Sequence, residues 1–536
     1  MPNPKPDVCV EDASIADLQQ ALSDGKTTAA TLVKAYLARI AAYDRAGPGL
    51  NSVREVNPAA ASLAAASDAA RFAKGKRPPL QGIPILLKDN IATADEMHTT
   101  AGSLALADAF AKRDATVAAR LRKAGAIVLG KANLTEFANI LAVGMPSGYS
   151  SLGGQVRNAY APEVDAKGVP IVPPGGSSAG SGVAVAAGLA AAAIGTETSG
   201  SLLSPASQSG LVTVKPTVGL ISRAGIIPIA ASQDTAGPMT RTVQDAALLL
   251  NAMIGPDPLD PATSAAPKPV DYLKSLDRDG LRGARIGVPS DPNDPGNDVY
   301  WRTLSPKGRV VMEEVITALQ DAGAVIVREN IPTSGWIGGP GTDMAILNTN
   351  PESPDRNKVA RLPIVFVYEL KHDMNAYLKD WARGTAIQSL GDIVNFNFTH
   401  GDKALRFGQD IFLAAQNTRG DLKELEYIAA RQNDLRASRS QGLDTYMDEN
   451  RLDAVLFPGT AGAGIAAKAG YPSVQVPAGF IAEVNGRETP PFPLGATFTG
   501  RAWSEATLLR IAYAFEQATQ FRRPPPGLPG LQNGCR

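Results

Sequence analysis

The sequence predicts an α/β protein of three layers, in which a central sheet lies between helices. One observation is the alternation in residues 115–138, "ATVAARLRKAGAIVLGKANLTEFA", where a helix, a turn at Gly125, a strand and a second helix follow one another. Another is the return of buried-strand patterns late in the chain, in "DAVLFPG" (453–459) and "YPSVQVPAGF" (471–480). With 536 residues, the chain is long enough to bury a sizeable core.

The first elements are two helices and a buried strand. "SIADLQQALSDGK" opens with Ser14 and has Asp17 three residues later, which is a capping-box pattern. Helical spacing continues from Thr28 to Tyr43. "GIPILLKDN" (82–90) predicts a short buried strand after a Gly-Ile-Pro turn.

Small residues dominate the middle of the chain. Residues 145–182 are dense in glycine, proline and serine without a period, which predicts a loop. "SSAGSGVAVAAGLAAAAIG" (177–195) predicts a helix that should be central, because small side chains let other backbone approach closely. "GLVTVKPTVGLIS" (210–222) predicts a strand and a turn, and the Pro- and Asp-rich residues 256–269 predict a surface connection.

The C-terminal half alternates again. "GARIGVPSD" (283–291) and "GAVIVREN" (323–330) predict strands on either side of the helix "GRVVMEEVITALQDAG" (308–323). Residues 335–450 are mostly polar and helical, and "SEATLLRIAYAFEQAT" (504–519) predicts a capped amphipathic helix. The chain shows no internal repeat and no low-complexity tract.

The charge balance argues against two classes of partner. Lys and Arg number 52, as do Asp and Glu, so the net charge is zero, whereas nucleic acid and anionic membranes both need a basic surface. No apolar run approaches the ~20 residues of a membrane span. The start, "MPNPKPDVCV", lacks the apolar core of a signal peptide, and the compartment stays open.

Cysteine and histidine are scarce. Cys9 and Cys535 lie too far apart in sequence for a four-ligand zinc site, and they are either two inert thiols or a disulfide that ties the termini together and implies export. The three histidines are His98, His372 and His400, which makes a histidine-based metal site unexpected and leaves few histidine general bases. We therefore expect no metal.

The stretch "PPGGSSAGSG" (173–182) has three interpretations. The first is a phosphate-binding loop, but the stretch lacks both the Gly-Lys-Ser/Thr ending and the preceding strand that such a loop requires. A nucleophile elbow on Ser178, with Asp373 and His400 following in order, matches G-x-S-x-G, but two prolines stand where the strand should end. A tight turn that starts a small-residue helix needs no chemistry at all.

The stretch "GTETSGSLLSP" (195–205) adds a second serine-rich turn. Ser201 follows Ser177 by 24 residues (201 − 177), and a helix with a returning turn between them can bring both serines to one place. Consecutive small residues can aim their backbone N–H groups at one point, as an oxyanion hole requires. Lys88, between apolar neighbours in its strand, can act as a desolvated base, or it can be an edge lysine that reaches water.

These stretches together resemble the amidase signature hydrolases over nearly the whole chain. "GIPILLKDN" is similar to the lysine motif of the family, "PGGSSAGSG" to its glycine/serine motif, and "GTETSGSLLSPASQSGLVTVKPTVGLIS" to its nucleophile segment. "YPSVQVPAGF" and "SEATLLRIAYAFEQAT" match its C-terminal pattern. The resemblance implies one domain over residues 1–536, a three-layer α/β/α fold with a central mixed, twisted sheet, and a helical region at about 335–450 that shapes the substrate site.

The resemblance also implies the site residues. Ser201 would be the nucleophile, Ser177 the bridging serine after a cis peptide bond, and Lys88 the base. The backbone N–H groups of the oxyanion hole would be those of Thr198, Ser199, Gly200 and Ser201. Three further residues would contact the substrate, although ordinary core packing also explains them: Val143, Gly144 and Met145.

Two departures narrow the resemblance. Many members of the family read Gly-Gly-Ser-Ile-Arg at the nucleophile, whereas this chain has Leu203 in place of the arginine. In this respect, and in "YELKHDMNAYL" (368–378) and "SLGDIVNFN" (389–397), it resembles the bacterial peptide amidase branch, and the missing arginine argues against a glutaminyl-tRNA amidotransferase subunit. The residues "AKGVPIV" (166–172) look like an insertion beside the site.

The function that follows is hydrolysis of a carboxylic amide by a Ser-Ser-Lys triad, without a cofactor. The substrate is a small-molecule or peptide amide, neutral or apolar in its acyl group, and the protein is a monomer or a homodimer. Two alternatives stay open: an α/β-hydrolase-type esterase that uses Ser178 and His400, and carbamate hydrolysis at the same Ser-Ser-Lys site.

Overall fold

The computed structural model describes residues 8–70, 77–294, 296, 298–334, 336, 344–348, 359–531 and 535. The strands, in chain order, are β1 (Val53–Val56), β2 (Pro84–Lys88), β3 (Phe110–Ala111), β4 (Ile127–Ala132), β5 (Tyr149–Ser150), β6 (Gly154–Gln155), β7 (Ala192–Glu197), β8 (Val212–Lys215), β9 (Thr235–Thr240), β10 (Arg285–Val288), β11 (Val325–Arg328), β12 (Met344–Asn348), β13 (Val359–Pro363), β14 (Ala382–Arg383), β15 (Ala454–Pro458), β16 (Ser473–Val484) and β17 (Arg487–Thr499).

The α-helices of the described residues, in chain order, are α1 (Ile15–Ser23), α2 (Ala29–Arg39), α3 (Ala60–Ala70), α4 (Thr116–Lys123), α5 (Ala179–Ala186), α6 (Leu203–Gln208), α7 (Val243–Met253), α8 (Pro306–Asp321), α9 (Ile364–Trp381), α10 (Leu390–His400), α11 (Asp402–Leu405), α12 (Asp410–Gln416), α13 (Leu425–Leu435), α14 (Asp444–Glu449), α15 (Ala463–Ala469) and α16 (Glu505–Thr519). The capping box predicted for α1 is present, with Ser14 and Asp17 as its two residues.

One mixed sheet of eleven strands organises the molecule. Its order is β1-β4-β2-β7-β9-β8-β16-β17-β15-β10-β11. β4, β2 and β7 run parallel to one another, as do β15, β10 and β11, and the other neighbours in the sheet are antiparallel. The predicted α/β class with a central mixed sheet is therefore confirmed.

The parallel part of this sheet is buried on both faces. Every residue of β2, β4 and β7 is buried. Strands covered on both sides carry nearly continuous apolar runs, which is why "GIPILLKDN" could be recognised as a strand from its sequence. The ends of these strands are where the candidate site lies.

The predicted small-residue helix is only half correct. α5 is wholly buried, as expected, but it ends at Ala186, and the alanine run that follows forms the central strand β7. Gly188 breaks the helix with a φ of +65°, and a Cβ at this position would come within 2.5 Å of the carbonyl oxygen of Glu11. A run of alanines carries no period that separates a buried helix from a buried strand.

Other predictions were wrong in detail. β9 and β17 were not predicted, although both belong to the central sheet. Ser504 precedes α16 but makes no capping hydrogen bond, since its hydroxyl donates to the carbonyl of Arg501. The predicted helical region at about 335–450 contains α9 to α14, and its residues 335, 337–343 and 349–358 lie outside the described residues.

The two cysteines form a disulfide that joins the ends of the chain. Cys9 and Cys535 are bonded, so the structure selects the second of the two possibilities that the sequence left open. The tail that carries Cys535 also docks by hydrogen bonds, because Arg39 donates to the carbonyl of Pro529 at 2.8 Å and Tyr43 to the same oxygen at 2.7 Å. Among the described helices, none is both long and apolar enough to cross a membrane.

Candidate active site

The candidate site forms where two parallel strands end side by side. β2 and β7 are neighbours in the sheet, with Leu87 in register with Ile194, so their carboxyl ends meet at one edge. Lys88 is the last residue of β2, and Thr196 and Glu197 are the last residues of β7. Sequence positions more than one hundred residues apart are thereby brought within hydrogen-bonding distance.

Lys88 is fully buried and has three hydrogen-bond contacts. Its Nζ lies 2.7 Å from Ser177 Oγ, 2.9 Å from Thr196 Oγ1 and 3.3 Å from the Thr196 carbonyl oxygen. Burial lowers the pKa of Lys88 to about 7, and the nearby carboxylates of Asp234 and Glu197 offset part of this effect. The neutral amine is therefore accessible near neutral pH, which is the property that a general base needs.

Asp89 follows Lys88 directly but faces away from it. Its carboxylate is paired with Arg54 and accepts a hydrogen bond from Thr100 Oγ1. Neighbouring side chains on a strand point to opposite faces, so this arrangement was expected from the sequence. The carboxylate adjacent in sequence consequently does not stabilise the charged form of Lys88.

The turn before α5 supplies Ser177. The Gly176–Ser177 peptide bond is cis, as the resemblance implied. Ser178, the next residue, has a different environment: its Oγ donates to the Thr196 carbonyl at 3.0 Å and accepts from the Thr196 amide at 3.2 Å. Ser177 thus meets the lysine, and Ser178 ties the start of α5 to β7.

The three residues of the alternative esterase site, Ser178, Asp373 and His400, do not form hydrogen bonds with one another. Ser178 Oγ is occupied by the backbone of Thr196. His400 has its Nδ1 2.8 Å from the carbonyl oxygen of Phe396 and stacks on the ring of that residue. Asp373, the third member, accepts from the amide of Ala231 and contacts the neighbouring histidine of its own helix.

The loop between β7 and α6 carries Ser201. Gly200 has a φ of +89°, a conformation that favours glycine. Glu197 Oε2 accepts from the amides of Leu202 at 2.8 Å and Leu203 at 3.1 Å, which fixes the start of α6. Ser201 is 8% exposed, and its Oγ has no hydrogen-bond partner among the described residues.

The predicted oxyanion amides lie on this same loop. Among the described residues, the amides of Ser199, Gly200 and Ser201 have no hydrogen-bond acceptor. Free N–H groups on a turn of small residues are the arrangement that binds a developing negative charge. The Ser201 carbonyl accepts from the amide of Ser178 at 3.2 Å, which holds the loop against the start of α5.

Asp234 supports the loop from the other side. It is buried, and its Oδ1 accepts a hydrogen bond from Thr198 Oγ1, while its Oδ2 accepts from the amides of Ile229 at 2.9 Å and Ala230 at 3.0 Å. Burial raises the pKa of Asp234 to about 7. Asp234 therefore both positions Thr198 and influences the charge of Lys88.

A cavity of about 240 Å³ opens beside this cluster. It is bounded by the ends of β2 and β7, by the segment between β8 and β9, and by α9. Its lining residues include Asn90, Thr196, Thr198 and Tyr377. A pocket next to titratable residues with perturbed pKa values is a candidate substrate site.

The three predicted substrate contacts lie elsewhere. Val143 is exposed and its amide donates to Asp410 Oδ1, Gly144 is exposed, and Met145 is buried in the apolar core. None of them lines the cavity. Their contact with substrate stays a prediction.

Sequence reasoning missed Asn90, Thr196 and Asp234. Asn90 Nδ2 donates to Thr196 Oγ1 at 3.0 Å, so the two residues form one chain of hydrogen bonds with Lys88. Asn90 and Thr196 each lie within a motif that the sequence singled out, but nothing in the sequence separates their side chains from those that only pack. Asp234 stands before β9, a strand that was not recognised.

Side chains of metal-ligating type come together in one place among the described residues, at Cys9, Glu11 and Cys535. The two sulfur atoms there are already bonded to each other.

Comparisons with known proteins match the chain almost throughout. A family model described as Amidase matches residues 31–509. A protein described as a probable amidase from Arabidopsis thaliana is 37% identical over 524 residues, which cover 96% of this chain and 92% of the relative. One chain of the glutamyl-tRNA(Gln) amidotransferase of Geobacter metallireducens is 32% identical over 532 residues, which cover 96% of this chain and 99% of that one.

Among solved structures, the native peptide amidase from Stenotrophomonas maltophilia superposes with a TM-score of 0.82 at 41% sequence identity. The superposition covers 96% of this chain and 98% of that one.

Proposed function

This chain belongs to the amidase family of hydrolases, and from that premise we propose that it hydrolyses a linear carboxylic amide through an acyl-enzyme on Ser201. Ammonia or an amine is released first, and a carboxylic acid second. The observation that carries the proposal is the fully buried Lys88, whose Nζ lies 2.7 Å from Ser177 Oγ and whose pKa is lowered to about 7.

The first step moves two protons. Neutral Lys88 takes the proton of Ser177, and Ser177 takes the proton of Ser201 as the Ser201 oxygen attacks the amide carbonyl. The two contacts of Lys88 with Thr196 hold two of the positions around Nζ and leave the third for Ser177. Ser201 Oγ has no competing partner among the described residues, which leaves it available for this transfer.

The tetrahedral intermediate carries a negative oxygen that needs hydrogen-bond donors. We assign this task to the amides of Thr198, Ser199, Gly200 and Ser201. Losing one such donor in other hydrolases costs about 3 kcal/mol of transition-state stabilisation. Glu197 accepts from the amides of Leu202 and Leu203, which follow these four, so the four amides stay available for the substrate.

Collapse of the intermediate returns a proton to the leaving group. An amide nitrogen leaves as an amine only after it is protonated, and Ser177 supplies this proton with Lys88 behind it. Water then attacks the acyl-enzyme, and the same relay accepts its proton. Ser201 is regenerated and the carboxylic acid leaves.

For the substrate class, we propose amides of the kind that a peptide amidase cleaves. The support is the identity with the Stenotrophomonas peptide amidase and Leu203, which occupies the position of an arginine in many other members. We also propose that the helical region at about 335–450 shapes the substrate site, because α9 lines the cavity with Asp373, Tyr377 and Trp381.

Labelling with a fluorophosphonate tests the proposal. The probe should modify Ser201, located by peptide mass mapping, and should leave Ser178 unmodified. Ser201→Ala should abolish labelling and amide hydrolysis while the thermal unfolding midpoint stays close to that of the unmodified protein, since a small substitution in a loop costs little stability. Label on Ser178, or more than a few per cent of activity in Ser201→Ala, would contradict the assignment.

A further inference from the structure

The cavity beside Lys88 is lined on one side by a single face of α9. Its α9 residues are Asp373, Ala376, Tyr377, Asp380 and Trp381. These positions are spaced by three, four, seven and eight residues, so they lie on one side of the helix. An apolar strip on this face is therefore flanked by two carboxylates.

The charged groups around the cavity are mostly acidic. Four carboxylates line it, those of Asp234, Asp260, Asp373 and Asp380, against one cation, Arg223. Arg223 is already engaged within the cavity wall, because it forms an ion pair with Asp260 and donates to the carbonyl of Ala231. Asp234 carries only part of a charge near neutral pH, since burial raises its pKa to about 7. Asp373, which also contacts His372, and Asp380 form no ion pair with Arg223.

A buried amide adds a further acceptor. Asn90 lines the cavity and is 2% exposed, and its Oδ1 has no hydrogen-bond partner among the described residues. A buried carbonyl oxygen without a donor costs free energy, which a ligand N–H group would recover. The cavity therefore presents acceptors to a ligand that brings donors.

The remaining wall is apolar. Ile226, Ile227 and Ile229 line the cavity from the segment before β9, and Tyr377 and Trp381 line it from α9. Arg113 lies over the Trp381 ring, 3.8 Å from its centroid, and is not among the lining residues. With a volume of about 240 Å³, the cavity is smaller than the pockets of ~300 Å³ and above that hold drug-sized molecules, so it fits a single side chain.

We propose that this cavity binds the part of the amide substrate that carries a positive charge on an apolar stem, such as a lysine-like side chain. The inference rests on the proposed amide hydrolysis, and it replaces the neutral or apolar acyl group expected from the sequence with one that carries a positive charge. The stem would pack between the isoleucines and the α9 aromatics, and the ammonium group would reach Asp373 and Asp380. An anionic end would meet Asp373 and Asp380 and no free cation among the described lining residues.

Three amides of similar size test the preference: N-acetyl-lysinamide, N-acetyl-norleucinamide and N-acetyl-glutamic acid α-amide. We expect kcat/KM to fall in that order, with a lysine-to-norleucine ratio of up to about five at low salt, since one partly exposed ion pair is worth up to ~1 kcal/mol. Added NaCl should reduce the ratio, because it screens exposed charges. Turnover with a ratio of one or below overturns the cavity proposal.

Asp380 provides the decisive variant, because it is exposed and its carboxylate can be neutralised at little structural cost. Asp380→Asn should lower the lysine-to-norleucine ratio by about two- to fivefold. Asp402→Asn, which neutralises an exposed carboxylate on α11 away from the cavity, is the matched control and should leave the ratio unchanged. Equal effects of the two variants would show that only the overall charge matters and would overturn the proposal.

A binding measurement separates failure of this inference from failure of the proposed function. Calorimetry on the Ser201→Ala protein with hexylamine, hexanol and hexanoate requires no turnover. Preferential binding of hexylamine that Asp380→Asn weakens supports the cavity even if none of the three amides is hydrolysed. Failure to hydrolyse the amides would then overturn the proposed hydrolysis alone. Equal binding of the three compounds overturns the cavity.

Discussion

Lys88 acts in the proposed mechanism only as the neutral amine, and its environment sets the pH at which that form appears. Burial lowers its pKa to about 7. A base that must be deprotonated loses activity as the pH falls below its pKa, so kcat/KM on an unactivated amide should rise with pH and level off above about pH 7. A profile that rises only above about pH 10 would indicate an ordinary lysine.

Asp234 should move this acid limb. Its carboxylate is the largest electrostatic influence that favours the ammonium form of Lys88, so Asp234→Asn should lower the pKa of Lys88 further and shift the limb to lower pH. Thr198→Val keeps the carboxylate but removes a hydrogen bond that lowers the pKa of Asp234, so Asp234 is ionised less and the limb should shift in the same direction by a smaller amount. Because the pKa of Asp234 is itself raised to about 7, the measured midpoint belongs to the cluster. If the midpoint of the acid limb does not change in Asp234→Asn, then Asp234 does not influence the pKa of Lys88.

Lys88→Ala distinguishes catalysis from packing. The proposed relay must protonate an amine leaving group, whereas an activated ester leaves without a proton. We expect the variant to lose about 10²- to 10⁴-fold in kcat/KM on an alkyl amide and clearly less on the matching nitrophenyl ester. Equal losses on both substrates would place Lys88 in the structure alone.

At the scale of the elements, the nucleophile loop depends on one glycine. Gly200 has a φ of +89°, and a Cβ there would find space, since its nearest neighbour is the Ala463 Cβ at 3.5 Å. Gly200→Ala should therefore strain the loop without a clash, displace the proposed oxyanion amides and lower kcat by about 10- to 100-fold. Gly464→Ala, on the adjacent α15 and with open space, is the control and should leave kcat unchanged. An active Gly200→Ala would show that the loop tolerates the change and that its amides are not positioned this strictly.

The elements differ in how well the sequence predicts them, and the reason is the range of the interactions that fix them. The strand ending at Lys88 is set by a local apolar run, and α1 by a local capping box, so both were predicted. The end of α5 is set by a close approach between Gly188 and Glu11, which are remote in sequence. The same limit applies to the site, where Asp234 reaches Thr198 from a separate strand connection.

At the scale of the whole molecule, the sheet positions the proposed site, whereas the terminal disulfide stabilises the fold. The proposed site is positioned by β2, β7 and the turn before α5. The disulfide between Cys9 and Cys535 instead fixes the C-terminal tail against the end of α2 and the turn that follows it, where Arg39 and Tyr43 already bind the carbonyl of Pro529. Loss of the disulfide should therefore change stability more than turnover.

The double variant Cys9→Ser/Cys535→Ser tests this separation without leaving a lone thiol. Removing a native disulfide lowers the free energy of unfolding by about 2–4 kcal/mol, because the unfolded chain regains conformational freedom. We expect a lower thermal midpoint and unchanged kcat/KM on the preferred amide. Dithiothreitol should lower the midpoint of the unmodified protein towards that of the variant and leave the variant's own midpoint where it is. An unchanged midpoint would mean that the hydrogen bonds of Arg39 and Tyr43 hold the tail by themselves, and a loss of turnover would mean that the joined termini help to shape the site at the far end of α5.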